Sequence, residues 1–263
     1  MSLNAPLTIL KRIMDEAKLS LPENVWWRLH SMLHSIKFNK LKKVEFGNLR
    51  RLTPFSKQGF DRGLPIDRYY IEQFLSENAL DIRGHVLEIG DDYYTRKFGG
   101  KRVKKIDVLH FVECNPKASI VADLTCAENI PSNTFDCIIF TQTLQMIFDT
   151  KKALYTLHRI LKPSGILLAT THGISKIFRR EGVDYWGEYW RFTTQSLQHL
   201  FREVFPTPNI SIRSYGNVLT AIAFLEGLAS EELQKLELDY LDPDYEILLT
   251  VRAIKPNGGF ITK

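Results

Sequence analysis

The stretch His85-Val86-Leu87-Glu88-Ile89-Gly90-Asp91-Asp92-Tyr93 decides how the rest of the chain is read. A short apolar run ends on an acidic residue and a glycine. That is the pattern of a buried strand stopping at a turn where the backbone must come close to something. Working outward, short apolar runs recur near 106–112, 119–123, 135–140, 166–171, 210–214 and 246–253. Stretches of helical period lie between several of them. Thr150 to Leu161 places Ala153, Leu154, Leu157, Ile160 and Leu161 on one face, and 194–205 does the same with Leu197, Leu200, Phe201, Val204 and Phe205. Alternating strands and amphipathic helices predict an α/β fold, a mostly parallel sheet with helices on both faces. Asn217 to Leu236 reads as helical, and Tyr245 to Ala253 as a final strand whose direction spacing alone leaves open.

Upstream, Pro65 opens a helix in which Tyr70, Ile71, Phe74 and Leu75 share a face. Glu45 to Leu64, punctuated by Gly47, Pro54, Gly59 and Gly63, reads as an irregular connection. Earlier still, Leu7, Leu10, Ile13 and Met14, then Trp26, Leu29, Leu33 and Ile36, recur at helical spacing on either side of Pro22. The expected organisation is an N-terminal helical extension and connection over 1–64 and one α/β domain over 65–263.

With 263 residues and 44% hydrophobic composition, the chain can bury one large core. A charged fraction of 25% excludes disordered and fibrous classes. No apolar run approaches the ~20 residues of a membrane span, and Met1 to Leu10 lacks a cleavable signal pattern. Cys114, Cys126 and Cys137 are an odd set without a Cys-x-x-Cys pair, which fits reduced thiols in a cytoplasmic protein. The net charge of +5 gathers at Lys37, Lys40, Lys42 and Lys43, and at Arg96, Lys97, Lys101, Arg102, Lys104 and Lys105. The excess is modest and no nucleic-acid module accompanies it, so these read as solvated surface. His30 and His34 lack further ligands nearby and read as helix surface, so no metal is expected.

Three motifs in order carry a family resemblance. His85-Val86-Leu87-Glu88-Ile89-Gly90 resembles the first motif of class I S-adenosylmethionine (SAM)-dependent methyltransferases. Phe135-Asp136-Cys137-Ile138-Ile139-Phe140 resembles their fourth strand. His158-Arg159-Ile160-Leu161-Lys162-Pro163-Ser164-Gly165, followed by Ile166-Leu167-Leu168, resembles their R-x-L-K-P-G-G turn into the fifth. Order and spacing match the type 11 subgroup over roughly 80–176. Asp61 to Tyr70 also resembles a bacterial branch associated with surface-glycan synthesis. The resemblance implies a Rossmann-like class I methyltransferase fold with a seven-stranded sheet. It implies SAM as cofactor, and transfer of its methyl to an oxygen or nitrogen of a small-molecule or glycan acceptor.

It also implies a set of cofactor residues. Gly90 would lie under the cofactor, and Asp123 would contact the adenine amino group with Leu124 against the ring. Glu113, or Asp107 as second choice, would take the ribose hydroxyls. Glu88 would orient the turn through its amides, and Thr141 stands at the end of the fourth strand. Arg68 could clamp the SAM carboxylate with its planar fork; the plain alternative is an exposed arginine. The family usually continues E-x-G-x-G, and Asp92 replaces the second glycine. A carboxylate there is tolerable beside a cationic cofactor and hostile to a pyrophosphate. No G-x-G-x-x-G follows, which argues against a dinucleotide dehydrogenase.

The acceptor side is expected after the fifth strand. His172 could take the acceptor's proton, with Asp184 and Glu188 as weaker bases. Tyr185, Trp186, Tyr189 and Trp190 would form an aromatic wall; alternatively they seal a core or a homodimer contact and His172 caps a turn. A nucleic-acid acceptor is disfavoured, because Thr141-Gln142-Thr143-Leu144 stands where an Asn/Asp-Pro-Pro-aromatic motif would be required. The basic clusters are compatible with peripheral contact to an anionic membrane surface. The competing class is a catalytically silent methyltransferase-fold binding or scaffold protein, which would bind neither SAM nor its demethylated product.

Overall fold

A computed structural model describes residues 18–38, 44–113, 115–178 and 187–257, with backbone alone for 33–38. The chain divides into two compact units, 1–52 and 53–263. In the first, helix α1 (Glu23–Phe38) starts behind Pro22, whose carbonyl accepts the amides of Val25 and Trp26 at 2.9 Å each. Residues 53–64, read from sequence as part of the N-terminal extension, fall in the second unit. The Ser56 amide donates to the Glu226 carbonyl (3.2 Å), the Ser230 amide donates to the Leu64 carbonyl (2.7 Å), and Arg62 pairs with Glu232.

The second unit is built on seven strands: β1 (Gly84–Ile89), β2 (Val103–His110), β3 (Ile120–Val121), β4 (Phe135–Thr141), β5 (Leu161–His172), β6 (Ile210–Tyr215) and β7 (Leu248–Ile254). Their order is β3-β2-β1-β4-β5-β7-β6. The β1–β2, β1–β4, β2–β3 and β4–β5 pairs are parallel, and β7 runs antiparallel to both β5 and β6. The late strand thus inserts between β5 and β6, the direction that spacing left open.

Strand alternation divides the core between two faces. Leu87, Ile138, Phe140, Leu167 and Ala169 meet α3 (Thr150–Ile160) through Ala153, Leu154 and Leu157, and α4 (Thr194–Arg202) through Leu197 and Phe201. Val86, Cys137, Ile139 and Leu168 face the other way. They pack with Tyr70, Ile71, Phe74 and Leu75 of α2 (Ile66–Glu77) and with Ala221 and Ala223 of α5 (Val218–Glu226). Caps set the starts: Asp149 accepts from the Lys152 amide, and reciprocal Thr193–Ser196 and Asn217–Thr220 pairs open α4 and α5.

One expectation shifts. The helical stretch from Asn217 breaks at Gly227, which is left-handed at φ +71°; a 3-10 turn and the short α6 (Lys235–Asp239) follow. The β2–β3 crossover, residues 111–119, carries no helix among its described residues, although parallel connections usually do.

Candidate functional site

The first strand ends where a cleft begins. Gly90 has φ +87°, and a Cβ built there would meet no atom within 4 Å. Its amide donates to the Leu109 carbonyl at 2.9 Å, and its carbonyl accepts from the Asn115 amide group. The opening above it belongs to a cavity of about 500 Å³ along the carboxyl ends of β1, β2 and β4. That is where an open parallel sheet places its ligand, and the volume suits a small molecule.

Glu88 lies one turn below. It is 1% exposed, and its carboxylate oxygens accept the amides of Tyr94 (3.0 Å) and Thr95 (2.7 Å). It therefore shapes the turn after Gly90, as expected of a residue acting through backbone amides. Burial pushes its carboxyl up to about 7, against the pull of those amides.

Asp123 and Leu124 line the cleft together with His110, Phe111 and Ala122. The Asp123 carboxylate also accepts from the amide and hydroxyl of Thr125, both at 2.8 Å, so it closes a turn while facing the cavity. Of the sequence candidates, Arg68, Glu88, Glu113, Thr141, His172 and the second choice Asp107 are not brought to the cleft wall. Glu113 is exposed in the turn after β2, and His110 and Phe111 take the lining position instead. Thr141 lies at the end of β4 with its carbonyl accepting from Thr143, and it is Thr143 that lines the cleft. Asp107 sits opposite Leu87 within the sheet, bonded to His85 (2.6 Å) and Ser119 (2.9 Å) and paired with Lys105 (3.0 Å); these partners hold its carboxyl below the usual range despite partial burial.

The altered glycine is accommodated outward. Asp92 pairs with Arg96 and lies 3.9 Å from Lys117, at a separate shallow surface. Arg68, on the first turn of α2, donates to the Tyr94 hydroxyl at 3.1 Å and has its Nε 3.9 Å from Asp67. It is braced against the same turn that Glu88 holds.

At the far end, β5 delivers His172 into a buried charged cluster. Its Nε2 is 3.4 Å from Asp67 Oδ2, and its Nδ1 is 4.0 Å from Glu188 Oε1. Glu188 lines the cleft, accepts the Phe178 amide at 2.6 Å and pairs with Arg191 at 3.1 Å. Desolvation disfavours an imidazolium here, but the two carboxylates outweigh it and hold His172 above its ordinary value. The same contacts hold Asp67 and Glu188 low. Asp67 was not singled out for this role from sequence. Its only signal was an acidic residue in the first turn of a helix expected near the cofactor.

The aromatic wall is present in part. Tyr189 lines the cleft; Trp190 stacks on Phe148 and donates from Nε1 to the Ile147 carbonyl (3.0 Å). Phe148 supplies a cleft-lining ring that sequence reasoning missed. Asp184, Tyr185 and Trp186 lie outside the described residues. Behind this wall, Thr171 donates to Gln145 and Gln145 to Gln142, a buried relay. Gln142 holds φ +50°, a left-handed value uncommon for a side-chain-bearing residue.

Among the described residues no group of histidines, cysteines or carboxylates is arranged to hold a metal, and no helix is long and apolar enough to cross a membrane.

Residues 89–169 match the family model described as a methyltransferase domain, Methyltransf_11. The ubiquinone/menaquinone biosynthesis C-methyltransferase UbiE of Haemophilus ducreyi is 31% identical over 90 residues, 34% of this chain and 28% of that protein. Its counterpart in Klebsiella pneumoniae (strain ATCC 700721 / MGH 78578) is 35% identical over 75 residues, 27% of this chain and 26% of that protein. The chain thus matches about a quarter of the length of these curated relatives. In fold, a candidate sarcosine dimethylglycine methyltransferase from Galdieria sulphuraria superposes with a TM-score of 0.50 at 14% identity, over 72% of this chain and 86% of that one. Over residues 89–169 the chain is thus similar to a methyltransferase domain.

Proposed function

We propose that the protein binds SAM in the cleft over Gly90 and transfers its methyl group to an acceptor held between that cleft and His172. One observation carries the reading: a single cavity joins Gly90, Asp123 and Leu124 at one end to Glu188 and Tyr189 at the other. The residues fit the cofactor. The missing Cβ at Gly90 leaves room for a ligand at the strand end, and Asp123 with Leu124 offers an acceptor and an apolar contact to a purine. Arg68 is placed to help order the turn between them.

When bound, SAM would supply a methyl carried on its sulfonium sulfur; transfer to a hydroxyl breaks that S–CH3 bond, leaves a neutral thioether and sets one proton free. The chain's own task is to align and to hold that proton. His172, flanked by carboxylates, is suited to receive it. Glu188 is already occupied by Arg191 and the Phe178 amide, so it acts through its charge. Tyr189, Phe148 and Trp190 give the acceptor flat surfaces, which suit a sugar or an aromatic ring. The acceptor atom is then an oxygen or nitrogen of a small molecule or glycan; the glycan branch rests on the likeness of Asp61 to Tyr70 alone. A second reading, carbon methylation of an enol or phenol, is favoured by the name of the relatives, and it needs the same base.

Titration calorimetry with SAM tests the reading. The wild type is expected to bind, and Gly90→Val to lose at least about tenfold in affinity, ~1.4 kcal/mol. No heat at millimolar SAM would favour the silent scaffold. Once an acceptor is found, NMR of the product carrying a labelled methyl separates oxygen, nitrogen and carbon.

A further inference from the structure

We infer that Asp67 is a positioning residue: it binds the Nε2–H of His172, so that Nδ1, on the side of Glu188, is the nitrogen that takes the acceptor's proton. This rests on the reading of His172 as a base. The two nitrogens of the ring have different surroundings. Nε2 faces Asp67 Oδ2 at 3.4 Å, within reach of a long hydrogen bond. Nδ1 is buried, has no hydrogen-bond partner, and stands 4.0 Å from Glu188 Oε1. A neutral imidazole has one N–H and one lone pair. A carboxylate accepts only, so its contact selects the tautomer with the proton on Nε2. The lone pair is then left on Nδ1, beside the one cluster member that lines the cleft.

Glu188 cannot compete for the same role. Its Oε2 accepts the Phe178 amide at 2.6 Å, and its Oε1 lies 3.1 Å from Arg191 Nη1. It is fixed where its charge can stabilise an imidazolium without reaching Nδ1. Among the described residues, the ion pairs of the cluster come from two elements. Asp67 and Arg68 come from α2, and Glu188 and Arg191 from the segment after β5. From α5 only the Phe224 ring approaches, 5.6 Å between ring centroids. The arrangement is a carboxylate–imidazole pair assembled from two elements 105 residues apart in sequence. The acceptor's proton passes to Nδ1, giving an imidazolium whose second N–H is already held by Asp67. Such a base suits an acceptor with a hydroxyl, phenol or enol proton to give up, because a free amine can attack before it is deprotonated.

Nitrogen-resolved NMR of the SAM-bound protein, labelled at histidine, reads this without any acceptor. At a pH above the imidazole titration, the wild type is expected to carry its proton on Nε2 with Nδ1 unprotonated; a proton on Nδ1 overturns the proposal. Asp67→Asn is expected to mix the tautomers and to lower the proton affinity of His172 by about tenfold, one pKa unit. Glu188→Gln should lower the affinity while leaving the tautomer alone. If Asp67→Asn folds and binds SAM as the wild type does but leaves tautomer and titration unchanged, Asp67 does not position the ring. Failure of the methyltransferase reading would appear elsewhere, as absence of SAM binding, and would not alter the tautomer.

Discussion

At the residue scale, Glu88 and His172 are opposite cases of burial meeting charge. Glu88 is a buried carboxyl held by the Tyr94 and Thr95 amides, with no cation ion-paired to it among the described residues, and its folded value of about 7 lies above the ordinary 4.5. The unfolded chain ionises first, so Glu88 costs stability as pH rises from 4.5 toward 7, about 3 kcal/mol at full ionisation. A cationic ligand near it favours the ionised form. SAM binding near pH 7 is therefore expected to release a fraction of a proton and to tighten as pH rises. Calorimetry in two buffers of different ionisation enthalpy measures this, and equal apparent heats would refute it. His172 has the reverse sign. Its folded value is raised, so the stability it contributes is present below the unfolded value, about 6.5, and is lost as pH rises through the folded one. Asp67 and Glu188 are lowered, so their contributions are lost as pH falls below the carboxylate range. His172→Gln should flatten the alkaline fall in a thermal-denaturation profile and leave the acid limb from other carboxylates in place.

At the element scale, what was legible depended on whether the signal was local. The strands β1, β4 and β5 announce themselves by apolar runs with turn residues behind them, and Gly90 by its position. Helix α3 runs as its apolar face predicts, from Thr150 to one residue short of Leu161. The stretch after Asn217 misled because its apolar residues continue past Gly227 while the backbone does not. A glycine at φ +71° is a C-cap that a hydrophobic pattern cannot reveal. A Cβ there would stand 2.0 Å from the Ser56 carbonyl oxygen, so the helix end is also a close approach between segments. Gly227→Ala is expected to cost about 2 kcal/mol or more, through the left-handed backbone and the clash together. Urea denaturation reads that directly, and a loss under about 0.5 kcal/mol would show that the segment around Ser56 yields easily. The pairing of Asp67 with His172 was illegible for a different reason. One residue is on α2 and the other on β5, and only the stacking of α2 over the sheet brings them together.

At the scale of the whole molecule, the sheet gathers one wall of the cleft from strand ends that no window of sequence contains. Glu113 was the natural ribose candidate because it follows the second strand, yet β2 stops at His110, and the short crossover leaves His110 and Phe111 at the wall. A ligand that fills such a cleft adds its binding energy to the folded state. At a hundredfold excess over its dissociation constant, SAM should add about 2.7 kcal/mol, a rise of several degrees in Tm. Differential scanning fluorimetry checks this, and an unmoved transition would count against the site. The order β5-β7-β6 has a consequence for how the protein is made. The strand between β5 and β6 is the last of the seven to be synthesised. Until Leu248 to Ile254 have left the ribosome, β5 and β6 have no partner along those edges. A nascent chain arrested before that point would hold two unpaired strand edges lined by apolar side chains. The last strand out is the one that closes the sheet, so premature termination near the end of translation yields an aggregation-prone intermediate rather than a slightly shortened protein.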